Sequence, residues 1–186
     1  MTDVADWWQT DIIDMAPGQI RLRGFAIEDL IGNIGFAEMV WLMTRGTRPD
    51  AAQAALFEAA LVSAVDHGPQ APSIAAARMA VSCGLPLNNA MATAINMLGD
   101  VHGGAGEQAM QFFHAVKNHA STMSREAAID LVFCENNQLV PGFGHRFHKN
   151  ADPRSVRLMN LLETAVAKKI CTGSFAEIAM AIETYL

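Results

Sequence analysis

The sequence predicts an all-α domain built from many short helices, and three observations carry that prediction. Hydrophobic residues make up 51% of the 186 residues and are scattered among polar ones at helical intervals rather than in alternation. Alanine and methionine dominate the periodic segments; small residues let helices approach closely, and methionine is read as core filler. Gly and Pro punctuate the chain at helix-length spacing.

The elements follow in order. Met15 to Gly24 is the one strand-like piece, with Ile20 and Leu22 alternating with Arg21 and Arg23; it reads as a short N-terminal extended hairpin. Phe36 to Arg45 is apolar on one face and stops at Gly46. Asp50 is placed to cap a helix from Ala51 to about Asp66, ending at Gly68. Ser73 is read as the cap of a helix ending near Gly84, and Asn88 to Leu98 as the next, closed by Gly99. A helix from Gly104 to about His119 follows. Ser124 is placed to cap another, with Glu126 in its positive first turn. Asp152-Pro153 combines a capping oxygen with proline at the first helical position. Ser174 and Glu177 have capping-box spacing before a final apolar run.

Composition narrows the function. The formal net charge is −6 and Lys and Arg form no block, which argues against nucleic acid. No apolar run reaches the roughly 18–20 residues of a membrane-spanning helix, so no membrane partner is expected. The first ten residues match neither a secretory signal nor a transit peptide. Cys83, Cys134 and Cys171 are odd in number, widely spaced and without a CxxC pair, so they read as free thiols in a reducing cytoplasm and not as metal ligands. Charged residues are only 17%, which fits a chain that buries surface against another chain.

Four stretches break the helical rhythm with Gly, Pro and His. They are Asp66-His67-Gly68-Pro69, His102-Gly103-Gly104, Pro141-Gly142-Phe143-Gly144-His145-Arg146, and Asp152-Pro153-Arg154. Four of the six histidines lie in or beside them, the fourth being His148. Imidazole at a helix-end loop can donate or accept near neutral pH, and neighbouring glycines let backbone N–H groups approach a ligand. Each motif alone is more often a cap or a turn. Together, in this order, they resemble the substrate site of the citrate synthase and citryl-CoA lyase superfamily. The stretch from Val140 to Arg154 matches over its whole length, and Arg23-Gly24-Phe25 followed by Phe36-Ala37-Glu38 resembles the family's entry segment. The resemblance covers nearly all of residues 10–165. Asp66-His67-Gly68-Pro69 resembles the citryl-CoA lyase module of ATP-citrate lyase more than ordinary citrate synthases.

The resemblance implies a multi-helix citrate synthase-like fold spanning residues 1–186 as a single domain. Helices within 25–120 would belong to the family's large domain, and 121–186 to the substrate and coenzyme A loop with part of the small domain. It implies a carbon–carbon lyase or acyltransferase acting on acetyl-CoA, oxaloacetate and citrate or citryl-CoA. Coenzyme A would serve as cosubstrate, no cofactor would be tightly bound, and the assembly would be a homodimer. His102 would hydrogen-bond the thioester oxygen as an enolate forms, and His145 would polarise the oxaloacetate carbonyl or the citryl hydroxyl. His67 and Arg154 would hold the substrate carboxylate. The backbone of Val140, Pro141, Gly142, Phe143 and Gly144 would lie against the adenine, with Arg146 and Lys149 toward the phosphates. His148, at a position often aromatic in the family, reads as packing. His114 and His119 read as surface residues, and Trp7 and Trp8 as a packing or interface anchor.

The family's third catalytic group is a carboxylate, usually Asp, downstream of the Asp-Pro-Arg helix. No Asp follows Asp152, and Glu163, Glu177 and Glu183 sit at ordinary helical positions. The chain is therefore expected to be C-terminally truncated: a fragment of a longer enzyme, the alternative being a paralogue that binds CoA or dicarboxylate, or regulates, without turnover.

Overall fold

Two tight turns fold the start of the chain into a small antiparallel sheet. In the computed structural model, which describes residues 7–145, 148–149 and 152–186, β1 (Ile13–Ala16) pairs with β2 (Gln19–Leu22), Ile13 opposite Leu22 and Ala16 opposite Gln19. β2 then pairs with β3 (Phe25–Ala26) across Arg23-Gly24, where both residues have positive φ, 50° and 86°. That backbone is the one a two-residue hairpin turn favours. Arg23 is held in it by its own guanidinium, whose Nε and Nη2 donate to the Met43 carbonyl at 3.1 and 2.8 Å. The expected hairpin is thus present with a third, two-residue strand added.

The rest is helical. By its internal contacts the chain divides into two units, Met1–Ala64 with Ala167–Ile170, and Val65–Val166 with Cys171–Leu186. The described part of the first holds the sheet, α1 (Ile27–Leu30), α2 (Phe36–Arg45) and α3 (Ala51–Ser63). Asp50 caps α3 as expected: its Oδ1 accepts from the Ala52 and Gln53 N–H groups, and Gln53 Oε1 accepts from the Asp50 N–H. Trp41 meets Phe57 edge-on at 5.6 Å, joining α2 to α3, and Leu42 of α2 is fully buried.

The second unit starts with α4 (Pro72–Ser82) and α5 (Leu87–Asn96), packed side by side. α6 (Ala105–His119), α7 (Arg125–Glu135) and the C-terminal α9 (Ser174–Tyr185) enclose its main core; α8 (Pro153–Ala167) precedes α9. Phe112 and Val116 of α6, Ile129 and Val132 of α7, and Ile178 and Ile182 of α9 meet there, with Val140 closing one end. Polar contacts frame it: Arg125 pairs with Glu177 at 3.1 Å, and the Tyr185 hydroxyl donates to Asp130 at 2.7 Å. Lys117 Nζ lies 4.8 Å above the Phe175 ring, and His114, although exposed, meets the same ring edge-on.

Three expectations need correction. Ser174 is not a cap. Gly173, with φ 68°, precedes the helix, and Ser174 is its first residue, 3.4 Å from Lys117 Nζ. Ser73 is not a cap either; it lies inside the first turn of α4, behind Pro72. Methionine does not fill the core: no described methionine is among the buried residues, and Met15, Met79, Met91 and Met180 are more than half exposed.

Candidate functional site

The site is organised by helix N-termini, because the Gly-rich motifs are the loops that deliver the chain to them. The first motif forms the loop before α4. Asp66 Oδ1 accepts from the Gly68 N–H at 2.9 Å, a side-chain turn that leaves His67 exposed at its tip. Pro72 then opens α4, as suits a ring whose missing N–H would have had no helical partner.

His102 reaches back to that helix. The first N–H of α4, that of its second residue Ser73, donates to His102 Nε2 at 3.2 Å, and the Ser73 hydroxyl lies 3.0 Å from the same nitrogen. A backbone N–H can only donate, so Nε2 must accept, and the neutral ring carries its proton on Nδ1. His102 thereby caps an N–H that α4 leaves without an intrahelical partner. Its own loop is closed tightly: the Gly99 N–H donates to the His102 carbonyl at 2.8 Å, and the Gly104 N–H to the Gly99 carbonyl at 3.0 Å. A Cβ on Gly104 would stand 2.8 Å from the Asp100 carbonyl oxygen, so this turn requires glycine.

The turn from Val140 to Gly144 lies over the start of α6, the helix that His102-Gly103-Gly104 introduces. A Cβ on Gly142 would meet the Ala109 methyl at 3.2 Å and the Ala105 carbonyl at 3.7 Å, both in the first turns of α6. Val140 is buried in the core and Phe143 packs edge-on against Phe113 at 6.2 Å. These two side chains are therefore anchors, and what the turn offers a ligand is its backbone with Pro141, Gly142 and Gly144. Beside it opens a cleft of about 450 Å³ bordered by Gln108, Gln111, Phe112, Asn136, Leu139 and Pro141. The second and third motifs thus meet at one end of one helix, although 43 residues separate His102 from His145.

His145 is exposed, and its Nδ1 accepts the His148 backbone N–H at 3.2 Å. Its neutral ring therefore carries the proton on Nε2, the opposite tautomer to His102. Lys149 is exposed, and Arg146 lies outside the described residues. Arg154 stands at the start of α8 and grips Asp152: Nε donates to Oδ1 at 3.0 Å, Nη2 to Oδ2 at 2.6 Å, and the Arg154 N–H to Oδ1 at 2.9 Å. The Arg154 side-chain hydrogen bond, then its backbone N–H, hold the Asp152 carboxyl well below the usual carboxylate range, and the same pairing raises the Arg154 guanidinium. One bidentate edge of the guanidinium is thus committed to Asp152. The edge formed by Nη1 and Nη2 is the one suited to a second carboxylate.

Residues 41–186 match the family model for the C-terminal domain of citrate synthase. The chain belongs to the citrate synthase family. It is 35% identical to a citrate synthase of Deinococcus radiodurans over 76% of this chain and 36% of that protein, and 31% identical to one of Haloferax volcanii over 77% and 37%. It spans about a third of the length of these curated relatives. Among solved structures, citryl-CoA lyase from Hydrogenobacter thermophilus superposes with a TM-score of 0.80 at 34% identity, covering 94% of this chain and 66% of that one. ATP citrate lyase from Methanothrix soehngenii, in complex with citrate and coenzyme A, shares the fold with a TM-score of 0.81 at 18% identity over all of this chain and 31% of that one.

Within this citrate synthase-like chain, Ser73 is the site residue that sequence reasoning does not reach. Pro72-Ser73 looks like an ordinary helix start, and the contact to His102 joins positions 29 apart through tertiary packing. The readable signal was the proline at the first helical position, which leaves the next N–H to be satisfied from outside the helix.

Proposed function

We propose that this chain is the oxaloacetate- and acyl-CoA-handling part of a citryl-CoA lyase or closely related citrate synthase-like enzyme. The observation that carries the reading is the meeting of the His102 loop and the Val140–Gly144 turn at the N-terminal end of α6, with His102 held by Ser73 as its Nδ1–H tautomer. Two further points favour the lyase: the Asp66-His67-Gly68-Pro69 loop, and 34% identity to a citryl-CoA lyase across nearly the whole chain.

In cleavage, the hydroxyl proton of citryl-CoA passes to water as the carbonyl of oxaloacetate forms, since His145 Nε2 already carries a proton and acts as a donor. The carbon–carbon bond breaks toward the thioester, and the resulting enolate takes a proton at carbon. His102 Nδ1–H donates to the thioester oxygen, where negative charge develops. His145 Nε2 lies against the hydroxyl or carbonyl oxygen that changes bond order. Arg154 and His67 hold carboxylates, Arg154 with its Nη1/Nη2 edge. The turn from Val140 to Gly144 takes the adenine, and Arg146 and Lys149 the phosphates. Condensation is the same path reversed. The carboxylate that moves the carbon-bound proton in the family has no counterpart among the residues assigned here. Residues 1–186 act as one citrate synthase-like domain, with 25–120 and 121–186 as its large-domain and substrate-loop parts. The protein works as a homodimer in the cytoplasm, a compartment that suits its three free cysteines.

Thermal unfolding with and without CoA plus oxaloacetate tests the reading. Ligand at a hundred times Kd should stabilise the chain by about 2.7 kcal/mol, and the rise should saturate. No response to either ligand would reject the assigned binding roles. A saturable response with no cleavage of citryl-CoA would favour the non-catalytic alternative.

A further inference from the structure

His145 can act on a carbonyl or hydroxyl oxygen only if the correct ring nitrogen carries the proton and the ring faces the right way. His148 makes two contacts that bear on both conditions. Its backbone N–H donates to His145 Nδ1 at 3.2 Å. Its imidazole lies beside the His145 imidazole with centroids 4.8 Å apart and planes inclined by 31°, a tilted pair of flat rings. The partners stand three positions apart in the sequence.

We infer that His148 is a positioning residue: its N–H fixes His145 as the Nε2–H tautomer, and its imidazole braces the face of the His145 ring so that Nε2 stays directed at the substrate oxygen. The inference rests on the proposed role of His145 in polarising that oxygen. A flat side chain is what the brace requires. A ring can be replaced by another ring, whereas a small side chain removes the ring contact that His148 makes with His145.

The test uses the full chain labelled with 15N-histidine. Long-range 1H–15N correlation spectra report which ring nitrogen bears the proton, and H145Q identifies the His145 signals. Wild type should show His145 protonated at Nε2 in a single narrow form. H148F should keep that form. H148A, which retains the backbone N–H but loses the ring, should broaden the signals or add the Nδ1–H tautomer, and should weaken oxaloacetate binding about tenfold. A wild-type His145 protonated at Nδ1, or an H148A spectrum indistinguishable from wild type, overturns the inference; the wild-type spectrum decides even if H148A fails to fold. Failure of the functional reading looks different: wild type, H148F and H148A would all ignore oxaloacetate while the tautomer pattern stayed as expected.

Discussion

At the residue scale the informative feature is that two histidines are each held by a backbone N–H, and in opposite tautomers. Ser73 leaves His102 with a proton on Nδ1, and His148 leaves His145 with one on Nε2. A donor at developing negative charge is worth about 10²–10³ in kcat. On the proposed lyase function, His102→Ala should cost that much in citryl-CoA cleavage while leaving CoA affinity nearly unchanged; equal loss of both would remove His102 from its proposed role. Ser73→Ala keeps the N–H and removes only the hydroxyl, so it should lower cleavage less than tenfold and stability by about 1 kcal/mol, measured by urea unfolding. The Asp152–Arg154 pair carries a pH signature. The folded-state pKa of Asp152 is depressed, so the pair's contribution is fully present above the unfolded value of about 3.9 and is lost as pH falls through the folded value. The Tm gap between wild type and Asp152→Asn should therefore be constant near neutrality and close as pH falls below about 4. The histidines and Arg154 were legible in the sequence because each sits in a Gly- or Pro-marked loop. Ser73 was not, because its partner comes from another motif 29 residues away.

At the element scale, local chemistry that acts within one helical turn was readable, and chemistry decided by tertiary space was not. Phe36–Arg45 has the expected bounds, and Asp50 and Ser124 cap as their side chains suggest. α3 ends at Ser63 instead of about Asp66 because Asp66 bonds to the Gly68 N–H and draws its backbone into the loop that presents His67. The Ser174 and Glu177 spacing misleads because Gly173 takes the turn. Gly173 is constrained twice: its φ is 68°, and a Cβ there would lie 2.6 Å from Val166 Cγ2. A left-handed non-glycine residue costs roughly 1–2 kcal/mol, and the clash adds to it. Gly173→Ala should destabilise the chain by at least that amount in urea unfolding, whereas a value within about 0.5 kcal/mol of wild type would mean that α9 can shift away from Val166 without loss.

At the scale of the whole molecule, the apolar composition and the thin set of buried residues have to be reconciled. Seven of the methionines and many large aliphatic side chains that composition assigns to a core are exposed on the single chain, and on α5 they form a stripe. Leu87, Met91 and Ile95 recur every four residues and are 73%, 56% and 62% exposed. Residues four apart share one helix face, so the stripe is continuous along α5. Water contact with such a face is unfavourable, and fully burying each side chain contributes about 1.5–3 kcal/mol. A two-fold dimer in which each chain covers the other's stripe satisfies both copies at once, since an isologous interface uses the same patch twice. Sedimentation velocity should therefore show a dimer at micromolar concentration. Met91→Lys combined with Ile95→Lys should convert it to a monomer by placing four like charges in the interface, while helix content by circular dichroism is retained, since lysine is a good helix former. A wild-type chain that sediments as a monomer, or a double variant that still dimerises, would exclude this face of α5 as the contact and leave its apolar stripe to another partner.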